Sequence, residues 1–121
     1  MRFAGYAAVF DRVDRGGDVV RPGAFGRSAR PVPLLWEHRP GRPVGRIELC
    51  REDGRGLRVI GEVTDAGAAR IVREGTGLSF GYRVRSASGT RPRELRALEL
   101  VEVSLVAIPM QPLAQVHAVA R

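Results

Sequence analysis

Short apolar runs, separated by glycine, proline and charged residues, dominate the hydrophobic pattern of this chain. Seven of these runs have the length and the alternating or β-branched composition that is typical of strands. They are Arg2 to Phe10, Val32 to His38, Val44 to Arg51, Gly56 to Thr64, Leu78 to Ser86, Leu98 to Ala107 and Leu113 to Val119. The pattern therefore predicts a mostly β fold, an antiparallel barrel of about seven strands, rather than a helical bundle.

One segment follows a helical pattern instead. Asp65 can cap a helix from Ala66 to Glu74, with Gly75 as its stop. The apolar residues of that helix share one face, which predicts burial of Ala68, Ile71 and Val72. A shorter helical turn is predicted after Pro22, so the barrel would carry one or two short packed helices.

Length and composition narrow the class of protein. The chain has 121 residues and reads as a single domain, 1–121. Its net charge of +7 comes from arginine alone, and these arginines are scattered and often adjoin acids, as in Arg51-Glu52-Asp53. A nucleic-acid interface would cluster them on one face, so we expect no specific nucleic-acid partner. One cysteine, no signal-peptide pattern and no membrane-length apolar run indicate a reducing cytoplasm and no membrane partner.

His38 is the first residue that could carry chemistry. It follows the apolar run Val32-Pro33-Leu34-Leu35-Trp36, and Arg39-Pro40-Gly41 is predicted to turn the chain away after it. Imidazole changes charge between about pH 5 and 8, so it can take a proton and return it. The segment alone rather favours an inert, partly exposed histidine at the end of a strand.

Ser79 is a candidate nucleophile for such a base. It starts a strand in the segment GTGLSFGYRV, and Gly77 and Gly81 flank it on its own face. These glycines would leave room for a substrate backbone to approach. A serine in an apolar strand is also often a simple filler whose hydroxyl bonds to backbone.

Glu102 is the third candidate, because a carboxylate is unexpected inside the apolar strand LELVEVSLVAIP. It could orient His38 and stabilise the charged imidazole. The alternative is that Glu102 faces solvent or pairs with an arginine.

Other site chemistries fit the sequence less well. Cys50 and His117 could form a Cys-His pair, but nothing around Cys50 favours a thiolate. Asp11, Asp14 and Asp18 have the composition of a turn and lack calcium-loop spacing. The two histidines and one cysteine are too dispersed for a zinc site, and no phosphate-binding loop is present, so we expect no metal or cofactor.

Four motifs together resemble the prohead protease family, the capsid maturation serine proteases of tailed phages and related gene transfer agents. In chain order they are GYAAVFDRVDRGGDVVRPGAF, VPLLWEH ahead of GRPVGRI, TGLSFGY, and LVEVSLVAIPMQPLAQV. The resemblance covers nearly the whole chain. It implies a serine endopeptidase with a fold similar to that of the herpesvirus assemblin protease.

The same resemblance assigns roles to residues. The histidine of the family falls on His38, its serine on Ser79 and its third catalytic residue on Glu102, where the herpesvirus branch has a second histidine. Glu99 and Glu37 remain alternatives for this third position, and a serine–histidine dyad is a further one.

The resemblance also implies partners and a place of action. The substrates would be segments of the major capsid protein or of a scaffold protein, cut inside the assembling prohead in the cytoplasm of a bacterial host. A homo-oligomer is compatible with the sequence. The alternative function is a catalytically inactive β-barrel that binds capsid or scaffold protein as an assembly factor.

Overall fold

The computed structural model describes residues 1–26 and 30–121, and within them the chain is mostly β. There are eight strands and one helix in this part of the chain. In order they are β1 Arg2–Val9, β2 Asp18–Val20, β3 Val32–Trp36, β4 Arg39–Glu52, β5 Gly56–Val63, α1 Ala66–Ile71, β6 Gly77–Ser88, β7 Arg93–Val106 and β8 Val116–Ala120. The predicted fold class is confirmed, and β2 is the strand that the sequence pattern missed.

The strands form one mixed sheet in the order β2-β7-β3-β4-β5-β1-β8, with β6 paired to β7. Most neighbours are antiparallel, while β2 and β3 both run parallel to β7. An isolated bridge between Gly77 and Gln115 brings the start of β6 close to the approach to β8. Among the described residues no ladder of paired strands closes the sheet, so the predicted antiparallel barrel describes this mixed, open sheet only loosely.

The turn after Trp36 lies earlier than the sequence pattern predicted. Trp36 pairs with Arg39, so the chain reverses at Glu37 and His38 and β4 starts immediately afterwards. Both turn residues have positive φ, 49° and 59°, as a two-residue hairpin loop of the primed type requires. The prediction that Arg39-Pro40-Gly41 makes the turn is wrong. The Asn-Gly pair that usually marks such a turn is missing here, so the local sequence does not indicate a turn at Glu37 and His38.

The helix begins as predicted and ends early. The Asp65 carboxylate accepts a hydrogen bond from the Ala68 backbone N–H at 2.9 Å, which confirms the cap. The helix stops at Ile71, and Val72 is already extended. Ala68 and Val72 are buried, but Ile71 is 56% exposed, so its predicted burial is wrong. In the described part of the chain, no helix has the length and hydropathy needed to span a membrane.

The chain after Pro22 forms hydrogen-bonded turns from Arg21 to Ala24 and from Gly23 to Gly26. The rest of the helical turn predicted there falls on residues 27–29, which lie outside the described residues.

The core lies between the inner faces of the curled sheet. Strands β3, β4, β5, β6 and β7 each supply fully buried aliphatic side chains to one continuous cluster, which also reaches the helix through Ala68. The largest of them are Leu34, Ile47, Leu57, Leu78, Leu95 and Leu105. This packing holds β6, β7 and β3 side by side, and these strands carry the candidate residues.

Candidate active site

The three candidate residues come from adjacent elements of the sheet. Strand β7 carries Glu102 and lies between β6, which carries Ser79, and β3, which leads into the turn at His38. In the register, Ser79 on β6 and Leu35 on β3 both pair with Ser104 on β7. Positions that are 25 and 69 residues apart in sequence are thus paired across neighbouring strands.

Glu102 and His38 form a direct contact. The Oε1 atom of Glu102 lies 2.5 Å from Nδ1 of the imidazole. The carboxylate side chain is 9% exposed, whereas the imidazole is 43% exposed. An ionised carboxylate only accepts hydrogen bonds, so the fitting tautomer carries its proton on Nδ1. Nε2 is then left to accept a proton from a hydroxyl.

Ser104 completes the surroundings of the carboxylate. Its hydroxyl donates to the second oxygen, Oε2 of Glu102, at 2.6 Å, and accepts a hydrogen bond from the His38 backbone N–H at 3.0 Å. Both carboxylate oxygens therefore have partners, which offsets the cost of burying the charge. The alternative in which Glu102 faces solvent or an arginine is wrong.

Strand β7 also holds the turn that presents His38. The Glu37 backbone N–H donates to the Leu105 carbonyl at 3.0 Å, and the Glu37 carboxylate accepts from the Ala107 N–H at 2.9 Å. Left-handed backbone costs non-glycine residues about 1–3 kcal/mol each and persists only where the surroundings impose it. These bonds, with the one from His38 to Ser104, fix the turn against the end of β7.

Ser79 lies on the same face of the sheet as Glu102 and Ser104, and it is buried, with 7% exposure. Within the described residues the two hydrogen bonds of His38 both go to β7, and neither involves Ser79. The structure thus places Ser79 on the strand next to the histidine–carboxylate pair without a direct bond to it.

The glycines beside Ser79 make room for protein atoms. A Cβ on Gly81 would collide with Oε1 of Glu102, the atom that contacts His38. A Cβ on Gly77 would lie 2.6 Å from the Val106 carbonyl oxygen and 3.0 Å from Pro109 Cδ. The space at these glycines, predicted to be for a substrate, is taken up by the protein itself. The Glu102 carboxylate occupies it at Gly81, and the end of β7 occupies it at Gly77.

An open groove of about 440 Å³ lies at the ends of β3 and β7 and at the start of β6. Among the described residues, its walls include close sequence neighbours of the candidates rather than the candidates themselves: Trp36 and Glu37 before His38, and Gly77 two positions before Ser79. Leu105, which follows Ser104, also lines it. Its other side is formed by the end of the helix and the segment after it, Ile71 to Thr76. An extended peptide could lie there with apolar and polar contacts.

Cys50, His117 and Glu99, the other residues considered for a catalytic role, have surroundings that do not favour such a role. Burial raises the pKa of the Cys50 thiol to about 12, which keeps it protonated and weakly nucleophilic near neutral pH. His117 packs its ring 5.3 Å from that of Tyr6. Glu99 forms ion pairs with Arg85 and Arg83, and the Arg85 hydrogen bond lowers its pKa. Among the described residues, no cluster of three or more potential metal ligands occurs.

The sequence pattern did not predict the roles of two residues around His38 and Glu102. Ser104 had a signal, since it is a second polar residue two positions after Glu102 and therefore on the same face of an apolar strand. Glu37 was considered only as a substitute for Glu102, and its contact with the Ala107 backbone depends on where the turn falls. That position could not be read from the local sequence.

Sequence comparison relates this chain to phage prohead proteases. The family model described as Caudovirus prohead serine protease matches residues 1–121. The prohead protease of Enterobacteria phage HK97 is 37% identical over 94 residues, which cover 68% of this chain and 42% of that protein. The chain thus spans less than half of that relative.

A solved structure has the same fold. The protease of KSHV, solved in complex with a hexapeptide phosphonate inhibitor, superposes with a TM-score of 0.70 at 17% identity, over 95% of this chain and 63% of the other. That likeness confirms the predicted similarity to the herpesvirus protease fold. By its family match over its whole length, this chain belongs to the caudovirus prohead serine protease family.

Proposed function

We propose that this chain is a serine endopeptidase domain that cleaves capsid or scaffold segments during maturation of a phage-like head. The observation that carries the proposal is the contact between His38 Nδ1 and the buried Glu102, which leaves Nε2 as the acceptor. The strand of Glu102 pairs with the strand of Ser79. Family membership supports the same reaction class.

The proposed mechanism assigns one role to each of the three residues. The Ser79 hydroxyl attacks the scissile carbonyl while His38 Nε2 takes its proton, which forms an acyl-enzyme after the amine leaves with that proton. Water then attacks the acyl group with His38 again as base, and the acid product departs from Ser79. Glu102 holds the imidazole in the required tautomer and stabilises the imidazolium in both steps.

Ser79 and His38 need to approach each other for proton transfer. Catalytic hydrogen bonds are often long in unliganded enzymes and tighten when substrate binds, so the missing bond is compatible with the mechanism. We place the substrate in the groove between Trp36, Gly77 and the segment after the helix. That groove is lined by Glu37, the neighbour of His38, and by Gly77 at the start of β6.

The proposed substrates are the major capsid protein or a scaffold protein, and the proposed place of action is the assembling prohead in the host cytoplasm. The HK97 relative is named a prohead protease, and this chain spans 42% of it. The substrate assignment thus rests on family membership.

Co-expression with a major capsid protein from the same genome tests the proposal. The native chain should trim the capsid protein to a new terminus, identified by mass spectrometry of the intact capsid chain. Ser79→Ala should fold normally and leave the capsid protein uncut. Ser86→Ala is the matched control, because Ser86 is an exposed serine on the same strand and should leave cleavage unchanged.

Two results would contradict the proposal. Trimming by Ser79→Ala would remove Ser79 as the nucleophile. Association of the native chain with the capsid protein, without any cut in capsid or scaffold protein, would instead favour the inactive assembly factor.

A further inference from the structure

Among the described residues, Ser104 is the one that forms hydrogen bonds with both members of the histidine–carboxylate pair. Its side chain is fully buried on β7, with 0% exposure. The hydroxyl lies 2.6 Å from Glu102 Oε2 and 3.0 Å from the His38 backbone nitrogen. Ser104 also pairs with Ser79 across β6 and β7, so it lies at the centre of the three candidate residues.

The direction of both hydrogen bonds follows from the groups involved. A backbone N–H can only donate and an ionised carboxylate can only accept. The Ser104 hydroxyl therefore accepts from His38 and donates its single proton to Glu102. One hydroxyl thereby sets the position of the turn that carries the imidazole and the position of the carboxylate that contacts it.

We propose that Ser104 is a positioning residue that aligns His38 and Glu102 for proton transfer. This inference rests on the function proposed above, since it assumes that the pair serves catalysis. Ser104 does not line the groove and is closed to solvent, so it acts through its two partners without touching substrate.

Removal of the hydroxyl has a defined kinetic consequence. In Ser104→Ala the buried carboxylate oxygen loses its donor and the His38 N–H loses its acceptor, so both groups can move. Hydrogen bonds to charged groups are stronger than those between neutral groups. Because the lost bond goes to the charged carboxylate, we expect kcat to fall by roughly ten- to a hundredfold. KM should stay within about twofold, because the groove is untouched.

A double-mutant cycle tests whether the effect passes through Glu102. In the Glu102→Ala background the principal partner of Ser104 is already absent. Adding Ser104→Ala there should cost less than about threefold in kcat, well below its effect in the native chain. Equal losses in both backgrounds would show that Ser104 acts independently of the carboxylate and would overturn the proposal.

Proton NMR provides a readout that needs no substrate. The imidazole N–H that contacts Glu102 should give a downfield resonance, lost in His38→Ala and retained in His117→Gln, since the chain has only these two histidines. In Ser104→Ala this resonance should shift or broaden through faster exchange with water. Val59→Ala is the control, because it removes volume from a fully buried position on β5 and should leave the resonance unchanged.

The two kinds of measurement separate the two claims. A changed resonance in a chain that cuts no capsid protein would support the positioning role and count against the proposed function. An unchanged resonance together with native kcat in Ser104→Ala would overturn the positioning role and leave the protease proposal intact. Absence of the resonance from the folded native chain would also overturn it, since the pair would then not form.

Discussion

Glu102 is the buried carboxylate of the described part of the chain, and its environment explains how it can be there. One oxygen contacts the imidazole of His38 and the other accepts the Ser104 hydroxyl proton. Leaving either oxygen without a partner would carry a desolvation cost of about 1–3 kcal/mol or more. The charge is therefore tolerated only as part of this cluster, and its position is tied to the position of the histidine.

Glu102→Gln should give a folded protein with a clear loss of turnover. The amide keeps the shape of the side chain, loses the charge that stabilises the imidazolium and can favour the wrong tautomer of His38. We expect a decrease of roughly 10²-fold or more in kcat, smaller than the loss in Ser79→Ala. Cleavage of one capsid-derived peptide, measured for each variant, checks this.

Two matched substitutions test the alternatives for the third position. Glu99→Gln removes exposed ion pairs with Arg83 and Arg85, and Glu37→Gln keeps a carbonyl oxygen for the Ala107 N–H. Both should turn over substrate at close to the native rate. A selective loss in one of them, with native turnover in Glu102→Gln, would transfer the role to that residue.

At the scale of elements, the pairing of β6 with β7 decides whether the site can form. Gly81 is opposite Glu102, and only a residue without a side chain leaves room for the carboxylate at that point. The β3–β4 turn adds the histidine from the other side of β7. The site is thus assembled on one central strand, with its neighbours shaped to accept it.

Gly81→Ala should disable the site while the sheet stays intact. The new methyl group would occupy the position of Glu102 Oε1 and push the carboxylate away from His38. Such overpacking costs about 1–3 kcal/mol of stability, and turnover should fall to about the level of Glu102→Gln. Gly41→Ala is the control, because nothing lies within 4 Å of a Cβ there.

Thermal unfolding and peptide cleavage, measured on both glycine variants, separate the two effects. Native turnover in Gly81→Ala would mean that the carboxylate moves without consequence, which would contradict the assignment of Glu102.

At the scale of the whole molecule, the charge is spread over the surface in local pairs. Arginines bind acids from other segments of the chain, as Arg93 does with Asp18 and Arg2 with Glu48. Arg21 joins Asp11 and Glu94 in the same way. Exposed pairs of this kind contribute little stability, so the fold depends mainly on its aliphatic core. The expectation of no specific nucleic-acid partner remains a prediction.

Burial of Cys50 in the core predicts that the free energy of unfolding decreases at alkaline pH. Burial raises the pKa of Cys50 from an ordinary 9.0 to about 12, so the folded chain keeps a proton that the unfolded chain loses. The contribution of Cys50 to stability is complete below about pH 9 and is lost as the pH rises towards 12. Urea unfolding at about pH 8 and about pH 10.5 should show this decline.

Cys50→Ala isolates this contribution. The pKa values of Tyr6 and Tyr82 are also raised, Tyr6 by the hydrogen bond to Asp53 and Tyr82 by burial, so they add a decline of the same sign. The difference between the native chain and Cys50→Ala cancels the tyrosines. An equal decline in both proteins, or rapid alkylation of Cys50 in the folded chain near neutral pH, would contradict the buried protonated thiol.

The sequence by itself was sufficient for the fold class, the cap at Asp65 and most of the strands, and it nominated the three candidate residues. Alternating apolar positions record which face of a strand is buried, and a capping carboxylate acts within three residues of itself, so both can be read locally. The candidates were found because polar residues inside apolar strands are costly, and because four motifs in order resembled one family.

Only the tertiary structure decided where the chain turns at His38, why Gly81 is a glycine, and what Ser104 does. The turn adopts positive φ without glycine or asparagine because hydrogen bonds to β7 hold it, and those partners are more than sixty residues away. Gly81 and Ser104 obtain their roles from strand register, which sets the contacts between distant segments. Local pattern predicts an element, but contacts across elements depend on how the strands pair.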